Sequence, residues 1–538
     1  MSLLGTLARL QAVRSGRAEP LATVRHRHLS DRPMVVIPLA AAGEAGAPLA
    51  VMLGTDREAP RLHIVPQPLN RTQRFDFLAR FGADLLPYMA SFAEDVEHIE
   101  GSERDAESGE KVPVVRELCA DAPQLVVPNQ GAVRHLALIG RSTRFRRTAE
   151  DPDPGPYPAP TQVPLLGRWL THVTDRAQVP GSSLLLPLTS LLARHWATGQ
   201  SHLEDQHLAA RLAWHGLPDG TDGPGGAQAA EYVETARDAR GQLLHPPAGP
   251  ATDPSFDEVL LAPAITRHDA ALAAARGAAD AGDTAAAARA ELVVKQAAEH
   301  LHGVLEQVLL PVWADVWRGL DLLRALPPGA HVAERWEGDR WSYTGHRDRV
   351  AAGEPPQPRQ DDAVTAARKL AQREREQVRV EVQEALDDPL AMAEHRLAGE
   401  AFAGEVVALV PEYDTSGRSP KPRPLLVVRT ADRPHADPGR EVHRAHGPSA
   451  QRGVVVGADA AEGTVTVRVV SGMGRRREPE PGSLPEVGER VVFTLFELQP
   501  RQSAPLPDPE DTPWTHGGPP SGGPGGVPGA PGGTEEWE

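Results

Sequence analysis

Short apolar runs separated by turn residues fill the first part of the chain, a pattern typical of strands packed into a sheet. Between the runs, Asn70 stands three residues before Gln73 as a helix-capping pair, and Phe77 and Phe81 follow at helical spacing. We therefore predict an α+β domain over residues 1–150 with one main helix. The runs interpreted as strands are LATVRHR, MVVIPLA, LAVMLG, RLHIV, QLVVP and AVRHLALIG.

The hydrophobic period becomes helical after a proline-rich stretch. DPDPGPYPAP cannot sustain helix or sheet hydrogen bonding, so residues 151–163 are predicted to be a linker. Beyond it Trp169 and Val173 share one helical face, and Ala-rich helices are expected near residues 265–325. The pattern predicts a mainly helical domain over residues 164–350, in which WEGDRWSYTG is interpreted as a hairpin.

Dense alternating charges mark residues 361–402, which we predict to be charged helices. A narrow apolar seam that includes Val378 and Leu386 could pair with a second copy of the chain. Asp388 and Pro389 are the expected cap and first residue of the second of these helices.

Valine-rich runs return over residues 403–498. Val465, Val467 and Val469 alternate with polar residues, as strands of a sheet with one solvated face require. Five such strands predict a small β-barrel, and residues 499–538 are predicted to be a disordered Pro/Gly tail. The fold class is therefore multidomain α+β, with an N-terminal α+β domain, a central helical domain, a C-terminal small β-barrel and a disordered tail.

The amino-acid composition restricts the kinds of binding partner and of cellular compartment that we expect. The 538 residues include 56 Lys plus Arg and 73 Asp plus Glu, and the net charge of −17 argues against a protein that binds phosphates over its whole surface. The lone Cys119 can form neither an internal disulfide nor a cysteine zinc site, which favours a reducing cytoplasm. No run approaches the roughly 18 apolar residues that span a bilayer, so no membrane association is expected.

The chain carries no complete catalytic motif. It lacks the GxxxxGK[ST] phosphate-binding loop and the GxSxG nucleophile elbow, so we predict a non-catalytic protein with no cofactor and no metal. The alternative is an enzyme of unrecognised type, with a histidine and a carboxylate in the helical domain as acid and base. His202 and His207 diverge on a helix, which argues against a metal site. The candidates for the enzyme site are His195, His202, His207, Glu204 and Asp205.

Two short basic stretches could contact nucleic acid: RSTRFRR at residues 141–147, and GMGRRREPEPG in a loop of the predicted barrel. Small barrels often present such loops to phosphate backbones. The competing interpretation is a solvated loop whose arginines are neutralised by Glu478 and Glu480. The residues assigned to nucleic-acid binding are Arg475, Arg476 and Arg477.

The barrel region opens with DDPLAMAEHRLAGEAFAGEVVALV and closes with PEVGERVVFTLF. Through these segments, residues 385–498 resemble the accessory barrel region of superfamily 1 helicases. The resemblance implies a small barrel and a role beside a separate motor protein. The motor's own phosphate-binding loop is absent, so no functional residue is carried over. The predicted function is a non-catalytic adaptor or accessory protein that binds protein partners in a nucleic-acid-processing complex.

Overall fold

A computed structural model describes residues 3–41, 46–104, 110–200, 207–216, 226–416, 420–447, 451–474 and 476–499. Apart from residue 499, the predicted tail lies outside the described residues. The helices are α1 (Leu3–Ser15), α2 (Arg71–Ala90), α3 (Gln130–Thr143), α4 (Gln162–Arg176), α5 (Leu188–His195), α6 (Leu208–Ala213), α7 (Ala227–Thr235), α8 (Pro254–Phe256), α9 (Ala262–Asp280), α10 (Thr284–Arg324), α11 (Val332–Ala351), α12 (Ala363–Asp387) and α13 (Pro389–Leu397).

The strands form one central sheet, a barrel and three two-stranded pairs. They are β1 (Glu19–Pro20), β2 (Met34–Ala40), β3 (Pro48–Gly54), β4 (Arg61–Ile64), β5 (Val96–Arg104), β6 (Lys111–Cys119), β7 (Leu125–Val127), β8 (Leu185–Pro187), β9 (Trp196–Ala197), β10 (Ala401–Val410), β11 (Tyr413–Asp414), β12 (Lys421–Pro422), β13 (Leu425–Thr430), β14 (Glu441–Ala445), β15 (Gln451–Asp459), β16 (Thr464–Ser471) and β17 (Arg490–Thr494).

The central sheet has the strand order β4-β3-β2-β7-β8. β2 pairs antiparallel with β3 and parallel with β7, and β7 pairs parallel with β8. β8 comes from the part of the sequence predicted to be helical, yet it is the last strand of this sheet. Residues on both sides of the proline-rich stretch therefore build one sheet.

Both faces of the central sheet are covered by helices, which explains why β2 and β3 are apolar at every position. Met34 and Val36 face one core with α2, α3, α4 and α11. Val35 and Ile37 face the other with α5 and α10, where Trp313 packs among leucines and valines. Alternate side chains of β2 therefore pack into two different cores, one on each face of the sheet.

AVRHLALIG was predicted to be a strand, and this prediction is wrong because the segment lies in α3. The Asn129 side chain accepts a hydrogen bond from the Ala132 N–H at 3.0 Å and caps the helix. Val133 and Leu136 are buried, three residues apart, on the face that meets the sheet. An apolar run this short has the same composition in either structure, and the capping residue selects the helix.

Two further local predictions are wrong. WEGDRWSYTG is part of α11, in which Trp336 and Tyr343 lie two turns apart on one buried face. LATVRHR is not a strand: outside an isolated bridge at Arg25 it is irregular, and its His26 and Arg27 side chains are buried against α12 and α13.

The C-terminal part confirms the predicted barrel. It is closed, with the order β10-β13-β16-β15-β14-β17, and Val465, Val467 and Val469 point into its core. β14 is a sixth strand that the sequence analysis missed, because EVHRA has little apolar alternation. Asp388 caps α13 as predicted, accepting from the Leu390 N–H at 2.9 Å. Within the described ranges, no helix has the length and apolarity needed to cross a membrane.

Candidate nucleic-acid interface

A close crossing of α3 and α4 sets the position of a large basic cleft. A Cβ atom on Gly140 would stand 2.8 Å from the Thr171 nitrogen, and one on Gly167 would stand 2.5 Å from the Arg144 nitrogen. Only glycine fits at both positions, so the two helices pack backbone to backbone. This contact brings the C-terminal end of α3, with its arginines, beside α4.

The basic cleft lies where the ends of α3, α4 and α11 meet α12 and the chain that precedes it. Its volume is about 690 Å³ and polar atoms make up much of its wall. The C-terminal half of α12 is held against the body by ion pairs from Glu384 to Arg27 and Arg194. The basic residues that line it are Arg141, Arg144, Arg176, Arg349, Arg359, Lys369 and Arg373.

Arg144 is the most buried of these side chains, with 4% of its surface exposed. Its Nε and Nη2 atoms donate to the carbonyls of Gln357 and Pro358, both at 2.9 Å. Its Nη1 has no hydrogen-bond partner among the described residues, although the side chain lines the cleft. Burial lowers the pKa of Arg144, against the charge of Asp175. The guanidinium is therefore fixed in position at the wall of the cleft by two backbone carbonyls.

Carboxylates neutralise only part of this charge. Asp175 and Asp361 are the acidic residues in the lining, and Lys369 pairs with Asp361 at 2.7 Å. Arg176 pairs with the buried Asp339 at 2.8 Å. In the described part of the chain no ion pair reaches the remaining arginines, so the cleft keeps a positive potential. These arginines are Arg141, Arg349, Arg359 and Arg373.

A stacked pair of neutral histidines stands at the wall of the cleft. The rings of His172 and His346 are 4.1 Å apart and nearly parallel, and Trp169 meets His346 edge-on at 4.6 Å. Burial lowers the pKa of His346 to about 3, assisted by Arg349. Burial, followed by the neighbouring His346 ring, also lowers the pKa of His172 well below its usual value. Both imidazoles are uncharged near neutral pH, so they add no positive charge of their own.

A second cavity of about 180 Å³ lies between α2 and α3, and we call it the aromatic-basic groove. Arg71, Arg74 and Arg146 line it together with apolar side chains. Partial burial lowers the pKa of Arg146, and the charges of Arg71, Arg74 and Arg359 lower it further. The apolar residues that define the groove are Phe75, Leu78 and Leu138.

Arg359 connects the groove to the basic cleft. Its positive charge acts on both Arg146 in the groove and Arg144 in the cleft. The guanidinium carbons of Arg144 and Arg359 lie 4.9 Å and 5.4 Å from the centre of the Phe145 ring. The two cavities flank the C-terminal end of α3, and we refer to them together as the track.

The barrel-loop arginines lie apart from this track in sequence and in fold. Arg476 and Arg477 are exposed in the loop between β16 and β17, and Arg475 lies outside the described residues. Glu480 folds back over Gly474 in the same loop. Their assignment to nucleic-acid binding stays a prediction.

Two of the five candidate acid and base residues of the enzyme alternative, His195 and His207, lie in the described part of the chain. His195 is fully buried, with Nδ1 2.8 Å from the Leu191 carbonyl, and burial lowers its pKa to about 4. His207 caps α6 through the Ala210 N–H. No three His, Cys, Asp or Glu side chains converge as metal ligands in the portion that the structure describes. His202, Glu204 and Asp205 lie outside that portion.

The basic stretch RSTRFRR was noted in the sequence, but none of its residues was predicted to bind nucleic acid. The signal that was present is Phe145 among arginines, the pattern of a surface that stacks and pairs with nucleic acid. The other basic residues of the track come from α2, α4, α11, α12 and the chain before α12, and no local motif connects them.

No family model, no curated protein and no solved structure matches this chain. The resemblance of residues 385–498 to the helicase accessory barrel therefore stays a prediction.

Proposed function

We propose that this protein is a non-catalytic accessory protein that binds nucleic acid along the basic cleft and the aromatic-basic groove. The observation that carries the proposal is the concentration of seven basic residues and two carboxylates in one cleft of a chain whose net charge is −17. Because the cleft is positively charged while the chain as a whole is negatively charged, polyanions are attracted specifically to that face. Planar guanidinium groups also match the paired oxygens of a phosphate.

Nucleic acid fits this track better than a small anion does. Cationic side chains line both the cleft and the groove, on either side of the end of α3, so the track offers several cationic positions rather than one pocket. Aromatic side chains stand among the arginines, and Tyr157, 69% exposed, lies 5.0 Å under the Arg71 guanidinium. Interleaved stacking surfaces and cations are what proteins use to hold single strands.

Protein partners and a cytoplasmic location complete the proposal. The barrel exposes Val410 on β10 and Val456 on β15, apolar side chains that a partner could cover. The helicase-like segment supports a separate motor protein as that partner. The lone, buried Cys119 supports a reducing compartment.

Removing two unpaired charges from the cleft tests the proposal. Neither Arg141 nor Arg373 forms an ion pair or side-chain hydrogen bond with the described residues, so the double variant Arg141→Ala/Arg373→Ala keeps its fold. We expect its affinity for a labelled oligonucleotide to fall about tenfold or more at low salt. The slope of log affinity against log salt should become shallower by roughly 1.4. Fluorescence anisotropy across a salt series measures both quantities.

A matched control removes the same charge far from the track. Arg276→Ala/Arg289→Ala changes two exposed arginines on the hairpin of α9 and α10, and we expect wild-type binding. Arg476→Ala/Arg477→Ala tests the barrel loop in the same assay. Wild-type protein that shows no salt-dependent binding, or a cleft variant that binds like the control, would contradict the proposal.

A further inference from the structure

The aromatic-basic groove has a chemistry different from that of the cleft. Leu78 is buried at its base, Leu138 is 39% exposed, and Phe75 is half-buried beside them. Arg74 and Arg146 line the same cavity, and the Arg146 guanidinium carbon is 5.8 Å from the Phe75 ring centre. An apolar floor with a cationic rim suits a ligand that joins a flat apolar face to an anionic group.

We infer that the aromatic-basic groove receives one unstacked base of a bound single strand, while Arg71, Arg74 and Arg146 contact the adjoining phosphates. This inference rests on the proposed function, and it adds that the protein recognises bases as well as phosphates. Bases in a duplex are paired and stacked, so only a single strand can place one in the groove.

The dimensions of the groove agree with this occupant. Its volume of about 180 Å³ is several times the roughly 30 Å³ that one water molecule takes up in the liquid. A planar ring system fits such a space, and stacking on an aromatic side chain holds any base without regard to sequence.

The other aromatic rings near the track are already engaged by cations. Phe145 has the guanidinium groups of Arg144 and Arg359 within 5.4 Å, and Tyr157 has that of Arg71 at 5.0 Å. Phe75 also has a guanidinium nearby, that of Arg146 at 5.8 Å, but it lines a cavity together with Leu78 and Leu138, so a base can enter beside it.

The test compares two strands of equal length and charge. One is oligothymidine or oligouridine, whichever binds more tightly, and the other is the same backbone with every base removed. We expect wild-type protein to prefer the base-bearing strand about tenfold, the effect of one stacked base. Leu138→Ala and Phe75→Ala should each reduce that preference severalfold, because each weakens binding of the base-bearing strand more than binding of the abasic strand.

Leu292→Ala is the matched control, since Leu292 is an exposed leucine of α10 outside the groove. Leu138→Ala keeps the inference testable if Phe75→Ala loses core packing, because Leu138 faces solvent. Equal wild-type affinity for the two strands overturns the base pocket while the phosphate-binding proposal stands. Failure to bind either strand overturns the proposed function as well.

Discussion

His346 illustrates how the cleft places uncharged imidazoles among arginines. The side chain is 2% exposed, stacks on His172 and lies beside Trp169. Burial and the charge of Arg349 favour the neutral ring, which is why its pKa is about 3. In the unfolded chain the same imidazole takes up a proton near pH 6.5.

This difference predicts that acid destabilises the fold through His346. Because the unfolded state binds the proton first, stability is complete above pH 6.5 and is lost as the pH falls towards 3. Replacing His346 with Phe keeps a ring against Trp169 but removes the titrating nitrogen. Between pH 7 and pH 5 we expect the free energy of unfolding to fall about 2 kcal/mol less in the variant than in the wild type.

Urea unfolding followed by circular dichroism at the two pH values measures this difference. His195 and His215, whose pKa values burial lowers to about 4, remain in both proteins and leave a residual pH dependence. An identical loss in His346→Phe and in the wild type would rule out His346 as a source of acid sensitivity.

The contact between α3 and α4 is the element-scale feature on which the cleft depends. In Gly167→Ala the new methyl group would overlap Thr143 and the Arg144 backbone, so the helices must separate. We expect a loss of about 1–3 kcal/mol in unfolding free energy from this overpacking. Oligonucleotide affinity should also fall, because Arg144 moves with the end of α3.

Gly338→Ala provides the control for helix propensity. Gly338 lies inside α11 with no atom close to a Cβ position, so alanine there should stabilise the protein by about 0.5–1 kcal/mol. Thermal unfolding and anisotropy on both variants check the pair. If Gly167→Ala left both stability and oligonucleotide binding unchanged, the close contact between α3 and α4 would not be required for either.

At the scale of helices and strands, the sequence predicted the structure correctly where its pattern is compatible with only one kind of element. The barrel strands alternate apolar and polar residues, as in β16, and Asn70 and Asp388 are specific caps. AVRHLALIG was predicted wrongly because its apolar run fits a strand as well as a helix, and the Asn129 cap that selects the helix was overlooked. WEGDRWSYTG was predicted wrongly because its helix is stabilised by burial of Trp336 and Tyr343 in the core beside the sheet. Short apolar runs lack the length to show their period.

At the scale of the whole molecule, the basic track could not be predicted because its parts are distant in sequence. The charges of Arg71, from α2, and of Arg359, from the chain before α12, both act on Arg146 at the end of α3. Lys369 lines the cleft from α12. The contiguous Arg475, Arg476 and Arg477 are conspicuous in the sequence because they are adjacent, and their assignment to nucleic-acid binding stays a prediction. Folding, by contrast, collects dispersed arginines on one face of an acidic protein.

Photo-crosslinking of the full-length protein to a single strand carrying 4-thiouridine, followed by mass spectrometry, tests the central claim most directly. The account predicts crosslinked peptides from residues 71–78, 138–146 and 349–373, which line the cleft and the groove. High salt should suppress them, since phosphate contacts anchor the strand. Crosslinks confined to the barrel loop near Arg476 and Arg477, or none at low salt, would contradict the account.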